Sequence, residues 1–202
     1  MRLKNFAVGL GTLTLAMMSA VSARAQATPT ASQLFEISAF GGLTGNFTGL
    51  QGGKNLSITA GGDIRFRRYF GVNPAIEVRG TYPMDKGTIS SQKNVLAGLK
   101  VEKQYGRFHP YGDFLFGRGA IDYAHAYPAA EGTLTYLRTT SNVLSPGVGV
   151  DIDLSQHLAF KADMQLQRYA TPVTASGSVY SKAITFGAVY RFDFNHHKHE
   201  RR

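Results

Sequence analysis

The chain has no cysteine and no tryptophan. Without cysteine there are no disulfides, no thiolate metal site, no thiol nucleophile and no lipid anchored on a cysteine. Charge is sparse at 17% of residues, and acids are the rarer sign, 13 against 22 Lys and Arg. The basic excess does not form an Arg/Lys stripe interleaved with base-stacking aromatics, so it gives no argument for a nucleic-acid partner. Beyond the first two dozen residues no apolar run is long enough to cross a bilayer as a helix. No linker divides the 202 residues, and no internal repeat stands out.

What is present begins with "MRLKNFAVGLGTLTLAMMSAVSARA". Arg2 and Lys4 are followed by an uncharged stretch, Phe6 to Val21, and by Ala23-Arg24-Ala25. A basic start, a short apolar stretch and small residues at a peptidase spacing describe a secretory signal peptide over 1–25. Losing Arg2, Lys4 and Arg24 lowers the formal charge from +9 to +6. Residues 26–33 read as a flexible lead-in, 34–194 as the folded domain, and 195–202 as a basic, His-rich tail.

The rest of the chain is rich in Gly (23 residues), Tyr and Phe, a mixture suited to tightly packed, bent β-structure. Its main signal is strict alternation. Leu158, Phe160, Ala162, Met164 and Leu166 share one parity, while Ala159, Lys161, Asp163, Gln165 and Gln167 share the other. Such a period marks a strand with two different faces. The pattern predicts strands at about 34–42, 55–67, 74–83, 92–103, 109–122, 140–154, 157–168 and 182–194. The fifth has uncertain phase, because Phe114 and Phe116 share parity with Arg118 and Asp122; a bulge near Gly117 or Gly119 would repair it. Connections alternate between short and long, the longest running from Ala124 to Arg138.

Alternation suits two architectures: a soluble barrel or sandwich with its apolar face inward, or a membrane barrel with that face outward. Three features favour the second. The polar parity collects Glu36, Asp63, Arg65, Glu77, Arg79, Lys100, Glu102, Asp151, Asp153, Lys161, Asp163, Arg191 and Asp193, a set suited to a narrow lumen closed by ion pairs. Aromatics gather at the expected interfaces, with Phe35, Tyr69, Phe70, Tyr105, Phe108, Tyr111, Tyr190, Phe192 and Phe194 at one rim and Tyr82, Tyr123, Tyr169 and Tyr180 at the other. The short turns all fall at one rim. The expected fold is an all-β, closed antiparallel up-and-down transmembrane barrel of eight strands.

With its signal peptide, strand count, loop rhythm and final strand "ITFGAVYRFDF", the chain resembles the small eight-stranded outer-membrane β-barrels, similar to the membrane domain of OmpA and to opacity-type surface proteins. The resemblance implies a Gram-negative-type outer membrane and contact with its lipid. It also implies that barrel-assembly machinery reads a terminal signal at Tyr190, Phe192 and Phe194. Eight residues follow Phe194, a departure from the family pattern. The expected role is non-enzymatic, structural or surface-contact, with four extracellular loops, a monomer, no cofactor and an unknown surface ligand. The alternatives are a soluble exported lipocalin-like barrel holding an apolar ligand, and a lipid-modifying outer-membrane enzyme.

Other constellations carry less. Ser155 and His157 lie in a short turn with no oriented base or oxyanion donors. Asp151 and Asp153 share a parity and read as lumen partners for cations. His196, His197 and His199 lack a scaffold for a metal. The glycines of "SPGVGVD" precede no helix, so they form no phosphate loop; they make room for lumen side chains.

Overall fold

The computed structural model describes residues 35–85, 87–130 and 133–192. They form β1 (Phe35–Phe47), β2 (Lys54–Phe66), β3 (Asn73–Pro83), β4 (Ser90–Glu102), β5 (Phe108–Pro128), β6 (Thr135–Asp153), β7 (Leu158–Ala170) and β8 (Ser178–Phe192). Each strand pairs antiparallel with the next, and β8 returns to β1 from Lys182↔Phe47 to Phe192↔Ile37. Closure leaves no strand edge around the barrel, so the backbone donors and acceptors pair without water. The predicted segments 1–25 and 26–33, the tail 195–202, and Asp193 and Phe194 lie outside the described residues.

The alternation resolves into an inverted barrel. Leu43, Ile58, Val78, Leu99, Phe114, Met164 and Phe186 point outward and are exposed, whereas Asp63, Glu77, Arg79, Lys100, Asp151, Lys161 and Asp163 are at most 3% exposed. A protein surrounded by water gains from the opposite arrangement, so the outer solvent of this surface is hydrocarbon. On β7 the outward run Leu158–Leu166 covers eight rises, roughly 26 Å of strand, or about 20 Å of bilayer at the usual tilt.

Two short turns show how sequence sets local geometry. Tyr69 and Val72 bridge around Phe70 and Gly71, both with positive φ (48° and 82°), the two-residue hairpin whose twist matches the flanking strands. Tyr105 and Phe108 bridge around Gly106, φ 61°, and Arg107, where glycine supplies the left-handed first position.

Three expectations are corrected. β5 carries no bulge near Gly117 or Gly119: its register with β6 runs unbroken from Phe108↔Ile152 to Asp122↔Arg138, and shifts only between Asp122 and Tyr127. Arg118 and Asp122 share the lipid parity because there the strand has already risen above the apolar band. The long connection from Ala124 to Arg138 is mostly strand, since β5 reaches Pro128 and β6 starts at Thr135. Tyr111, Tyr123 and Tyr169 do not join the aromatic belts; they are 5%, 6% and 0% exposed inside the barrel. Phe35, Tyr69, Phe70, Tyr105, Phe108, Tyr190 and Phe192 at the short-turn rim, and Tyr82 and Tyr180 at the other, are exposed.

Candidate functional site

The lumen divides into three levels. Nearest the short-turn rim, Arg65 on β2 binds Glu36 of β1 at 3.2 Å and Glu102 of β4 at 2.8 Å. Arg191 on β8 joins Asp153 of β6 and Glu36. His109 spans Glu102 and Asp153, each ring nitrogen 2.8 Å from a carboxylate oxygen.

The middle level centres on Tyr111. Its hydroxyl donates to Asp163 at 2.9 Å. The ammonium groups of Lys100 and Lys161 lie 4.1 and 4.3 Å from its ring centroid, and Lys161 also sits 4.6 Å from the ring of Phe40. Desolvated cation–π contacts of this kind are worth about 2 kcal/mol. Lys100 reaches Asp63 at 3.4 Å and Asp151 at 3.2 Å, and Lys161 reaches Asp151 at 3.6 Å. Arg79 bonds Glu77 through Nε at 2.7 Å, Asp163 through both terminal nitrogens, and faces Asp113 at 3.7 Å. Gln165 donates to Asp113 and accepts from Ser145. Small residues make this possible. A Cβ at Gly149 would strike the Tyr111 ring, and one at Gly147 would strike the Gln165 amide.

Towards the long-loop rim the lumen holds neutral polar groups and an apolar cluster together, joined where Asn94 donates to the Tyr169 hydroxyl at 2.7 Å and that hydroxyl donates to Gln167 at 3.0 Å. Thr81, Thr59, Thr44 and Thr185 form a hydroxyl chain across β3, β2, β1 and β8, with spacings of 3.0, 2.6 and 2.8 Å. Leu96, Leu115, Ile121, Tyr123, Val143, Tyr169 and Val179 then pack with Leu50 into a plug. Ile89, Tyr127, Tyr136 and Val173 close over it. The long-loop rim is therefore a cap tied to the barrel. Tyr127 bonds Gln51 at 2.6 Å, and Ala130 N–H donates to Pro172 at 2.9 Å, joining three connections.

Of the residues predicted for the lumen, those among the described residues lie on the inner face. Glu77 lies with Arg79, but Asp63 meets Lys100 rather than Arg65, its neighbour two positions on. Tyr190 and Phe192 lie outside, ring to ring at 5.1 Å. Sequence reasoning missed His109, Tyr111, Asp113 and the plug. The alternation of His109, Tyr111, Asp113 and Leu115 against Pro110, Gly112, Phe114 and Phe116 held the signal, and Arg118 obscured it. Leu96 and Phe40, exceptions to their strands' parity, are lumen residues facing other lumen residues.

The residues singled out for chemistry have other contacts. Ser155 Oγ accepts the Leu158 N–H at 3.1 Å, and His157 stacks on Tyr190. Asp151 and Asp153 serve separate cations, Lys100 and Arg191. Among the described residues no three His, Asp or Glu side chains form a metal-ligating group.

A family model described as "Outer membrane protein beta-barrel domain" matches residues 13–192. No curated protein sequence matches. Among solved structures, the crystal structure of Neisserial surface protein A superposes with a TM-score of 0.52 at 14% identity, over 80% of this chain and 98% of that one. The attachment invasion locus protein Ail of Yersinia pestis gives a TM-score of 0.49 at 11% identity, over 78% and 97%. The outer membrane enzyme PagL gives 0.40 at 12% identity, over 78% and 99%. At these identities the likeness to the Neisserial protein speaks for the fold alone.

Proposed function

This chain belongs to the outer-membrane protein β-barrel domain family, and within it we propose a closed, non-enzymatic barrel that holds a compact cap and one projecting hairpin outside a Gram-negative-type outer membrane. The observation that carries this is the filled lumen: an ionic lattice below and an apolar plug above, all inside a surface built for lipid. An eight-stranded interior is just wide enough to be filled by side chains, so the barrel anchors and displays rather than conducts.

The long-loop rim is the outer one, and Phe35 and Phe192, the first and last described residues, stand at the periplasmic rim. Residues 1–25 direct export, and the terminal strand with Tyr190, Phe192 and Phe194 is the signal read by the assembly machinery. A monomer fits this reading, since closure leaves no strand edge for another chain to extend. Contact with other surfaces falls to the β5–β6 hairpin, where Leu134 and Leu137 are 66% and 67% exposed.

Fractionation with protease shaving of intact cells tests this reading. The chain should stay with the outer membrane, require detergent, and migrate differently on a gel before and after boiling. External protease should cut at the hairpin tip and not within 154–157. A chain soluble without detergent, or cut first at the short turns, rules the reading out.

A further inference from the structure

The ion pairs nearest the short-turn rim close on themselves. Glu36 on β1 meets Arg65 on β2, Arg65 meets Glu102 on β4, and Glu102 meets His109 on β5. His109 meets Asp153 on β6, Asp153 meets Arg191 on β8, and Arg191 returns to Glu36 at 3.4 Å. Acid and base alternate at every step of this circuit of six side chains. The two strands that add no charge to it, β3 and β7, turn Ala75 and Ala159 inward, 2% and 0% exposed. Ala75 is the register partner of Arg65, and Ala159 that of Asp153. A methyl group at each position leaves room for a guanidinium arm to cross to the strand beyond, Arg65 from β2 to β4 and Arg191 from β8 to β6.

Among these residue types, histidine is the one that ordinarily changes charge near neutral pH. The contacts of His109 say which form the circuit holds. Its Nδ1 lies 2.8 Å from Glu102 and its Nε2 2.8 Å from Asp153. A carboxylate oxygen only accepts, so both ring nitrogens donate, and only the imidazolium has two N–H groups. With that form three acids face three bases; with neutral imidazole three acids face two. The charged groups packed around His109 are already committed. On β4, Lys100 stands behind Glu102 at 3.9 Å. On β6, the register partner Asp151 is held by Lys100 at 3.2 Å and by Lys161 of β7 at 3.6 Å. On β5 itself, the Tyr111 hydroxyl goes to Asp163, and Arg107 of the preceding turn donates to the Asp153 carbonyl.

We propose that His109 is the latch of this circuit, a proton-operated link that ties β4 to β6 across β5 at the short-turn rim and releases one of them when the proton leaves. Protonated, it donates to both carboxylates. Neutral, it has a single N–H, and the other carboxylate then faces a nitrogen lone pair, a buried acceptor without a donor. The link therefore adds stability while the proton is present, and that contribution is lost as rising pH removes it. The side chains of Glu36 and Asp153 are already 30% and 24% exposed at this end, so water enters here first once the circuit opens. On the reading of this rim as the periplasmic one, the latch answers to the pH of that compartment.

The test uses the full chain, first in detergent micelles with isotope-labelled histidine read by nitrogen NMR and assigned through the backbone. His109 should show two protonated ring nitrogens at neutral pH; a single one overturns the latch. Urea unfolding in lipid vesicles then follows the link. From neutral to alkaline pH the unfolding equilibrium constant of the wild type should rise at least about tenfold, the scale of one hydrogen bond to a charged group. His109→Gln, with no proton to lose, should be weaker at neutral pH and lack this step, while His125→Gln, exposed at the other rim, should keep it. An equal step in wild type and His109→Gln, or its loss in His125→Gln, overturns the latch. Heat-modifiable migration establishes that each variant has formed a barrel, and if His109→Gln forms none, the nitrogen spectrum of the wild type decides. Any of these failures leaves the reading of the barrel standing; that reading falls instead if the wild-type chain needs no detergent.

Discussion

Arg79 and Asp163 lie 84 positions apart in the chain and meet inside the barrel as a fork, with nitrogen–oxygen distances of 2.7 and 3.3 Å. Arg79 stands on β3 and Asp163 on β7, so no strand pairing brings them together. Closure of the barrel does, and Glu77 and Asp113 share the same guanidinium.

Replacing Arg79 by Met takes the guanidinium from three buried carboxylates, Glu77, Asp113 and Asp163, and leaves only Lys100, 4.0 Å from Glu77, as an ion-pair partner within reach among the described residues. The expected loss is about 3–5 kcal/mol, the usual cost of stranding a buried charge. Urea unfolding in lipid vesicles, followed by heat-modifiable migration, measures it. A loss below about 1 kcal/mol would mean that water already solvates this level.

Tyr111 separates two effects. Tyr111→Phe keeps the ring between Lys100 and Lys161 but removes the hydroxyl that donates to Asp163. It should cost about 1.5–3 kcal/mol, as for hydrogen bonds to charged groups. Tyr111→Leu should cost more, because the lysines lose their ring face as well. Equal midpoints for the two variants would remove the cation–π contribution.

Glycine should matter by position. Gly149→Ala meets the Tyr111 ring, whereas a Cβ at outward Gly45 meets nothing within 4 Å. The first should destabilise by about 1–3 kcal/mol through overpacking, and the second by no more than about 0.5 kcal/mol. The difference in unfolding midpoint between the two is the readout.

The plug should decide conductance. Wild-type chain in a planar bilayer should show no persistent open channel. Leu115→Ala with Tyr169→Ala removes two side chains of zero exposure from the plug. This should cost several kcal/mol, about 2–5 for each large-to-small change, and should raise single-channel current. A wild-type open pore contradicts a sealed lumen.

Lipid and lumen parities should fail differently. Phe186→Arg puts a cation against acyl chains and should cost about 2–4 kcal/mol near mid-bilayer. Thr185→Arg points inward but has no room, because Thr185 is 2% exposed and bonded to Thr44. It should therefore be no milder. Co-solvent that thins the bilayer should rescue the first variant and leave the second unchanged.

Period, strand number and the sign of each face were written in the sequence, because one residue's shift along a strand turns its side chain to the other face. Leu158 to Leu166 against Ala159 to Gln167 needed nothing more to be read as lipid against lumen, once the apolar parity was taken as outward. Local order is nearly silent about partners across a closed sheet. Asp63 stands two positions from Arg65 on one strand face, yet it is bound by Lys100; Arg79 finds Asp163 only when the barrel closes. The plug was hidden for the same reason. Leu96, Leu115, Val143 and Tyr169 are single apolar side chains on the inner faces of four strands, and become one cluster only when the barrel closes. Short-range periodicity chose the faces, and three-dimensional closure chose the pairs, since it alone decides which side chains meet across the lumen.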